Sequence, residues 1–156
     1  MSGVSSSLAD VLATLQFERA GEMSFVGDQL PAPANHILGG HISAQALLAA
    51  SLTAPDRAPH SVHTYFLRPG DPTHPIELHV EITRDGRSFS HRRVSAVQRG
   101  RAIMEMACSF AEPEPGLRHQ VLMPQVPEPE DLSPDWEVLR SFSDVVPTLT
   151  RPAPFD

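Results

Sequence analysis

The sequence lacks lysine altogether and has one cysteine, one tryptophan and one tyrosine among 156 residues. A lone cysteine, Cys108, excludes a disulfide within the chain. No apolar run reaches the ~20 residues of a transmembrane helix, so we expect no membrane partner. Acidic residues outnumber arginines by 19 to 12, giving a formal net charge of −7. Such a balance argues against a nucleic-acid surface, and we expect no nucleic-acid partner.

Other absences bear on class and location. The first residues do not show the charged-then-apolar pattern of a signal peptide, so we expect a cytoplasmic protein. Hydrophobic residues make up 40% of the chain, enough for one domain with a core. Cys108 falls inside an apolar run, and we therefore expect a buried structural thiol rather than a nucleophile.

The most apolar stretch is residues 42–53, ISAQALLAASLT. Ala and Leu favour helix, and the few polar side chains form no stripe, so the pattern predicts a buried central helix. Gly39 and Gly40 directly precede it. Glycines at a helix start let a ligand approach the backbone, and the free N–H groups there favour a partial negative charge. Alternatively, the two glycines only make room for packing.

The rest of the pattern alternates between short elements and turns. Ser7 is placed to cap a short helix, while residues 1–7 otherwise suggest a disordered start. The helix is predicted over residues 8–17, a short strand over 23–26, and four long strands over 60–67, 75–83, 88–98 and 102–110. Asp85-Gly86 and Arg99-Gly100 predict hairpins between the last three strands. These elements predict an α+β domain over residues 1–112, an antiparallel sheet wrapped around a central helix.

Residues 113–156 have a different character. Nine of the 16 prolines of the chain lie there. Proline lacks an N–H group and cannot donate to a sheet, so we expect an extended linker or tail. A short helix is predicted near residues 136–142.

Three phrases support a resemblance to a known family. They are residues 38–47 (LGGHISAQAL), 60–71 (HSVHTYFLRPGD) and 84–94 (RDGRSFSHRRV). Together they closely resemble the acyl-CoA thioesterase II (TesB-type) family, over about residues 8–125. The resemblance implies a hotdog fold, acyl-CoA as the ligand and no cofactor. It also implies a missing half, because that family usually fuses two hotdog halves and its catalytic carboxylate, hydroxyl residue and glutamine belong to the second.

The residues suggest a site around the glycine pair. The backbone N–H of Gly40 or His41 would polarise a thioester carbonyl. His41, where the family commonly has Gln, is a candidate base or a residue that merely lines the cleft. His60 matches a histidine proposed to be functional in the family, although a structural hydrogen bond is an equal alternative. The histidines fit no zinc spacing, so we expect no metal site.

Substrate contacts are predicted beside this site. Gly39 and His63 are candidate contacts for the substrate. His63 is expected on the same side of its strand as His60, either in the core or in the wall of the cleft. Arg84, Arg87 and Arg93 are candidate partners for the phosphates of coenzyme A. The alternative is a solvated strand face on which these arginines, with Arg92, pair with Glu77 and Glu81.

Three functional hypotheses remain open from the sequence. The first is acyl-CoA hydrolysis, by a homo-oligomer or together with a second hotdog domain, because a lone half exposes a sheet edge. The second is a catalytically silent acyl-CoA-binding or structural half-module, favoured because residues 42–53 contain no acid. The third is a hotdog hydratase or dehydratase, which the wide spacing of Asp28 and His36 disfavours.

Overall fold

The computed structural model describes residues 7–30 and 36–133. The chain divides into two units, Met1–Glu114 and Pro115–Asp156. The predicted helix near residues 136–142 and the start of the chain before Ser7 lie outside the described residues. Within the described ranges, no helix has the length and apolar character needed to cross a membrane.

The described part of the first unit contains two helices and six strands. The helices are α1 (Leu8–Ala13) and α2 (Gly39–Ser51), and the strands are β1 (Glu18–Arg19), β2 (Ser24–Gly27), β3 (Ala58–Phe66), β4 (Ile76–Asp85), β5 (Phe89–Gln98) and β6 (Arg101–Ala111). The strands form one antiparallel sheet in the order β1-β2-β4-β5-β6-β3. This confirms the predicted α+β architecture, with β3 at one edge.

The central helix α2 packs against one face of the sheet and forms the core with it. Its residues Ala46, Ala49 and Ala50 have no exposed surface, and small side chains allow the helix to approach the strands closely. The opposing sheet residues are large and fully buried, among them Leu78, Val94, Met104 and Phe110. The alternation of β4 predicts this correctly for Ile76, Leu78 and Val80, whereas Ile82 is 43% exposed.

The predicted start of the central helix was wrong. Gly39 and Gly40 lie inside the first turn of α2 rather than before it. Glycine has a low helix propensity, but Leu38 takes an extended N-cap conformation and its carbonyl accepts from the amide of Ile42 at 3.2 Å. The helix therefore begins three residues earlier than residue 42.

The first helix is shorter than predicted. Ser7 and Asp10 form a reciprocal capping box at its start, which confirms the cap. The helix ends at Ala13, however, and Leu8 is 73% exposed. The carbonyl of Thr14 accepts a hydrogen bond from the buried side chain of Gln45, an interaction that sequence periodicity does not reveal.

The second unit is described as far as Ser133. Within residues 115–133 it is irregular apart from a 3₁₀ turn, Pro129–Asp131. Leu117 and Leu122 are fully exposed there. The high proline content explains why this stretch adds no strand.

Candidate functional site

A cavity lies beside the first turn of α2. It has a volume of about 430 Å³ and is lined by His36, Ile37, Gly39, Ile42, Phe66, Leu67, Arg68, Pro69, Gly70 and Ile103. Its walls come from the start of α2, the end of β3 and the turn that follows β3. The amide of Ile37 donates to the carbonyl of Gly70 at 3.0 Å, which ties the segment before α2 to this turn. The lining is mainly apolar, as ligand pockets usually are.

The helix start beside this cavity has free backbone donors, and of its two glycines Gly39 lines the cavity while Gly40 is the next residue along α2. No side chain caps α2, and the amide of His41 donates to the carbonyl of Leu38 at 3.1 Å. Within residues 7–30 and 36–133, the amides of Gly39 and Gly40 have no acceptor. The His41 amide, predicted as the alternative donor, is therefore occupied, whereas the amides of Gly39 and Gly40 are free. A helix N-terminus with free amides favours a developing negative charge.

The two glycines differ in the space around them. A Cβ at Gly39 would lie 3.1 Å from the ring of Phe66, whereas a Cβ at Gly40 would meet nothing within 4 Å. Packing therefore explains the absence of a side chain at Gly39. It does not explain Gly40, where the open space leaves room for a ligand to approach the backbone.

The side chain of His41 is buried away from this cavity. It is 8% exposed, does not line the cavity, and its Nε2 has no hydrogen-bond partner in the described part of the chain. Burial lowers the pKa of His41, because desolvation disfavours the charged imidazolium. The structure thus gives a neutral buried imidazole in place of the predicted cleft wall.

A buried amide lies one helical turn after His41. Gln45 has no exposed surface, and its amide nitrogen donates to the carbonyls of Thr14 and Asp28, both at 2.9 Å. Its oxygen accepts from Gln29 at 3.0 Å. These bonds hold α1 and the segment after β2 against α2. The sequence marked Gln45 only as a polar residue of the central helix.

His60 takes part in a structural contact. Its Nε2 lies 2.9 Å from Oγ of Ser109, a residue that is 5% exposed, and its ring packs against Phe89 with centroids 5.5 Å apart. A register shift between Pro59 and Ser61 places a bulge at His60. His60 and His63 are three residues apart, a spacing that would put them on opposite faces of a regular strand. The bulge brings both to the outer face of the sheet, which is the face away from α2.

Two of the predicted substrate contacts share a second cavity. This cavity of about 540 Å³ lies on the sheet and is lined by Ser61, Val62, His63, Thr83, His91, Arg92, Arg93, Ala107, Cys108 and Ser109. His63 is exposed and its ring lies 4.6 Å from that of Tyr65, so it is a surface residue rather than part of the core. The structure brings His63 and Arg93 together but separates them from the lining of the cavity beside Gly39.

The arginines around the β4–β5 hairpin have different surroundings. Arg92 is buried and donates to Asp85 at 2.8 Å and to the carbonyl of Thr53 at 2.9 Å, so it joins the hairpin to the end of α2. Arg84, Arg87 and Arg93 are exposed, and their side chains make no ion pair within the described residues. They lie on the solvated face of this hairpin, as the alternative prediction has it, and Glu81 is opposite Arg93 in the register of β4 and β5. No ion pair joins them to Glu77 or Glu81 within the described residues, where Glu77 pairs with His79 at 3.4 Å.

Arg68 is a candidate that sequence reasoning missed. It lines the cavity beside Gly39, and its guanidinium donates to the carbonyl of Ala102 at 2.6 Å. In the sequence it opens the Arg-Pro-Gly-Asp segment that follows the predicted strand 60–67.

Two further observations limit the chemistry that the described residues can perform. Cys108 is buried, as predicted, and burial raises the pKa of its thiol to about 11, so it is protonated at neutral pH. Neither cavity is lined by an aspartate or glutamate. The cavity beside Gly39 therefore offers a thioester a backbone donor and apolar walls, but no carboxylate base.

Comparison with known proteins identifies the family. Residues 28–111 match the family model of the acyl-CoA thioesterase N-terminal domain. Acyl-CoA thioesterase 2 of Haemophilus influenzae is 38% identical over 145 residues, covering 92% of this chain and 51% of that protein. Acyl-coenzyme A thioesterase 8 of Homo sapiens is 44% identical over 129 residues, covering 80% of this chain and 40% of that protein.

A solved structure gives the same result. The tesB protein of Mycobacterium avium subs paratuberculosis superposes with a TM-score of 0.75 at 60% identity, covering 81% of this chain and 50% of that one. The chain thus spans about half the length of the relatives it matches. The matched region contains α2, its glycine pair and all four long strands. The chain belongs to the acyl-CoA thioesterase family and contains that family's N-terminal hotdog domain.

Proposed function

We propose that this chain acts in the hydrolysis of acyl-CoA thioesters to free acid and coenzyme A. The observation that carries the proposal is the pairing of an uncapped, glycine-opened helix with an apolar cavity. The acyl chain lies along Ile37, Ile42 and Phe66, and the thioester carbonyl points at the amide of Gly40. Hydrolysis develops negative charge on that oxygen, and a fixed N–H donor stabilises the charge more in the transition state than in the substrate.

We assign the first phosphate contact of coenzyme A to Arg68. Its guanidinium lies at the same cavity as Gly39, and a guanidinium matches phosphate geometry. Arg84, Arg87, Arg93 and His63 stay predictions for contacts further along the coenzyme, since they line other surfaces. His60 stays a prediction as well, and its bond to Ser109 supports a positioning role.

The base and the second half come from another domain in this proposal. Both cavities described above lack a carboxylate, and the relatives are about twice as long. Among the residues that the structure describes, strand β3 pairs with β6 alone, and Val62, Phe66 and Leu67 near this edge are each more than 40% exposed. An exposed edge with apolar side chains favours pairing with a second hotdog domain, either a second copy or a different chain.

A second candidate function is a silent acyl-CoA-binding half-module. The same absence of a carboxylate from both cavities favours it, because binding needs no base. The two candidates agree on the ligand and differ only in turnover.

Titration with a non-hydrolysable acyl-CoA thioether tests the shared part of both candidates. We expect saturable binding that strengthens with acyl-chain length, since each buried methylene contributes about 0.8 kcal/mol. Gly40→Ala fills the open space and is expected to weaken binding, whereas Gly116→Ala, in the second unit, is the matched control. Absence of binding at any chain length by the properly folded protein would contradict the proposal.

A further inference from the structure

Two buried polar atoms lack hydrogen-bond partners among the described residues: one belongs to His41 of α2, and the other to Gln29, which bonds to Gln45 of the same helix. Within residues 7–30 and 36–133, Oε1 of Gln29 and Nε2 of His41 are the buried side-chain atoms without a hydrogen bond. Native proteins rarely leave such atoms unsatisfied, because an unpaired buried polar group costs free energy. The loss is usually avoided by a bound water.

The orientation of the Gln29 amide is fixed by its neighbours. The amide nitrogen of Gln45 faces two carbonyls, those of Thr14 and Asp28, so its oxygen must face Gln29. Gln29 therefore directs its nitrogen to Gln45 and to the carbonyl of Gly27, at 3.0 and 3.1 Å. Reversing either amide would place oxygen against oxygen. The unpaired atom of Gln29 is thus an acceptor.

The helix brings this acceptor towards His41. His41 and Gln45 are four residues apart on α2, so their side chains lie on the same face. Helical side chains lean towards the N-terminus, which directs Gln45 over the turn that carries His41. Gln29 binds the oxygen of Gln45 and therefore reaches the same side of the helix.

We propose that one water molecule is bound between Oε1 of Gln29 and Nε2 of His41, behind the first turn of α2. The water donates one hydrogen to Gln29, and its second contact is with the imidazole nitrogen. An uncharged ligand fits because Gln29 is an amide and burial lowers the pKa of His41, which keeps the ring neutral. An anion would be repelled by the amide oxygen, and a metal ion would require more oxygen or nitrogen ligands.

The bound water extends the Gln45 contacts to the start of the helix. It links the segment after β2 to the turn that presents Gly39 and Gly40. The site is distinct from the cavity beside Gly39, whose lining includes neither Gln29 nor His41. The proposal of a bound water is therefore independent of whether this chain takes part in hydrolysis.

A double-mutant cycle tests the link between the two residues. Gln29→Met and His41→Leu, alone and combined, are compared with the unsubstituted chain by urea unfolding. We expect His41→Leu to lower the folding equilibrium constant about tenfold, and the double variant to lose less than the product of the single effects. The matched control cycle combines Gln29→Met with His63→Leu, an exposed residue, and is expected to be additive.

Additive effects in the first cycle, or a His41→Leu variant as stable as the unsubstituted chain, would overturn the proposal. A high-resolution crystal structure of the unsubstituted chain decides the point even if the variants do not fold. Water density within hydrogen-bond distance of both atoms is the expected result. A His41 nitrogen bonded directly to protein, or a larger ligand in that density, would refute it.

Discussion

The guanidinium of Arg92 lies 2.8 Å from the carboxylate of Asp85, and the two side chains are 3% and 50% exposed. Arg92 also donates to Oγ1 of Thr53 at 2.8 Å, directly after α2. A buried arginine therefore connects the β4–β5 hairpin to the C-terminal end of the central helix. The hydrogen bonds from Arg92 and then from Ser90 lower the pKa of Asp85, so the carboxylate stays charged down to acidic pH.

Asp85→Asn is expected to destabilise the fold. The substitution leaves the buried Arg92 with a neutral partner, and losing a hydrogen bond to a charged group costs about 1–3 kcal/mol. Urea unfolding at pH 7 measures the change. The control is Glu77→Gln, which removes an ion pair with His79 in which both side chains are about half exposed, and it should cost less than Asp85→Asn. Equal effects of the two variants would show that Arg92 does not depend on Asp85.

The Arg92–Asp85 pair also predicts that the stability of the fold falls in acid. The pKa of Asp85 is lower in the folded chain than its ordinary value of 3.8, so its contribution is present above that value and is lost as the pH falls below it. The stability difference between the unsubstituted chain and Asp85→Asn should therefore shrink in strong acid. A stability difference between the two proteins that stays constant from pH 6 down to about pH 3 would contradict the pairing.

The buried His41 predicts that the stability of the fold depends on pH around 6.5 and below. Burial holds the pKa of His41 below its ordinary 6.5, so the unfolded chain takes up a proton before the folded chain does. Its contribution is therefore fully present above 6.5 and declines as the pH falls through that value, by at most ~1.4 kcal/mol per pH unit. Urea unfolding at a series of pH values should show a shallower decline for His41→Leu. Identical slopes would show that His41 titrates normally.

Substitution of the two glycines is expected to have different effects, on stability at Gly39 and on ligand binding at Gly40. Gly39→Ala presses on the ring of Phe66 and is expected to reduce stability, whereas Gly40→Ala enters open space and should maintain or raise it by up to about 1 kcal/mol. Only Gly40→Ala should weaken the response to a bound acyl-CoA while the fold is retained. Thermal unfolding with and without ligand separates the two effects. Normal ligand stabilisation of Gly40→Ala would show that no ligand approaches its backbone.

The arginines predict an ordering of affinities. Arg68→Ala should weaken coenzyme A binding about tenfold, because a charge-assisted hydrogen bond contributes roughly 1.5–3 kcal/mol. Arg84→Ala, Arg87→Ala and Arg93→Ala should each have smaller effects, since their side chains do not line the cavity beside Gly39. Isothermal titration with coenzyme A gives the order. A larger loss in Arg93→Ala would place the phosphates on the outer face of the sheet.

Sequence patterns predicted the elements of the fold well, because periodicity and turn residues report local structure. The alternation in β4 and the run of small residues in α2 correspond to their buried faces. They did not predict the start of α2, since glycine in a first turn has low propensity and depends on its surroundings. The two-residue strand β1 is too short to give a pattern.

The candidate site was harder to predict, because its residues meet only through tertiary contacts. Gly39 and Gly40 were recognised from their position before an apolar helix. Arg68 lines the same cavity from the turn that follows β3. Arg92 is separate from the exposed arginines of the hairpin, because its buried guanidinium bonds to Thr53 at the end of α2. The bulge at His60, which sets the face of His63, has no sequence signature in a single chain.

The measurement that tests the central claim most directly is the release of free thiol from a panel of acyl-CoAs. The chain is assayed alone, at a concentration where its oligomeric state is known, and again when joined to the second half of a full-length relative. We predict turnover by the joined protein that falls at least tenfold in Gly40→Ala, because the added methyl group keeps the thioester carbonyl from the backbone amide, which the variant retains. Full turnover of the joined protein with Gly40→Ala would contradict the assignment of this helix start as part of the thioesterase site.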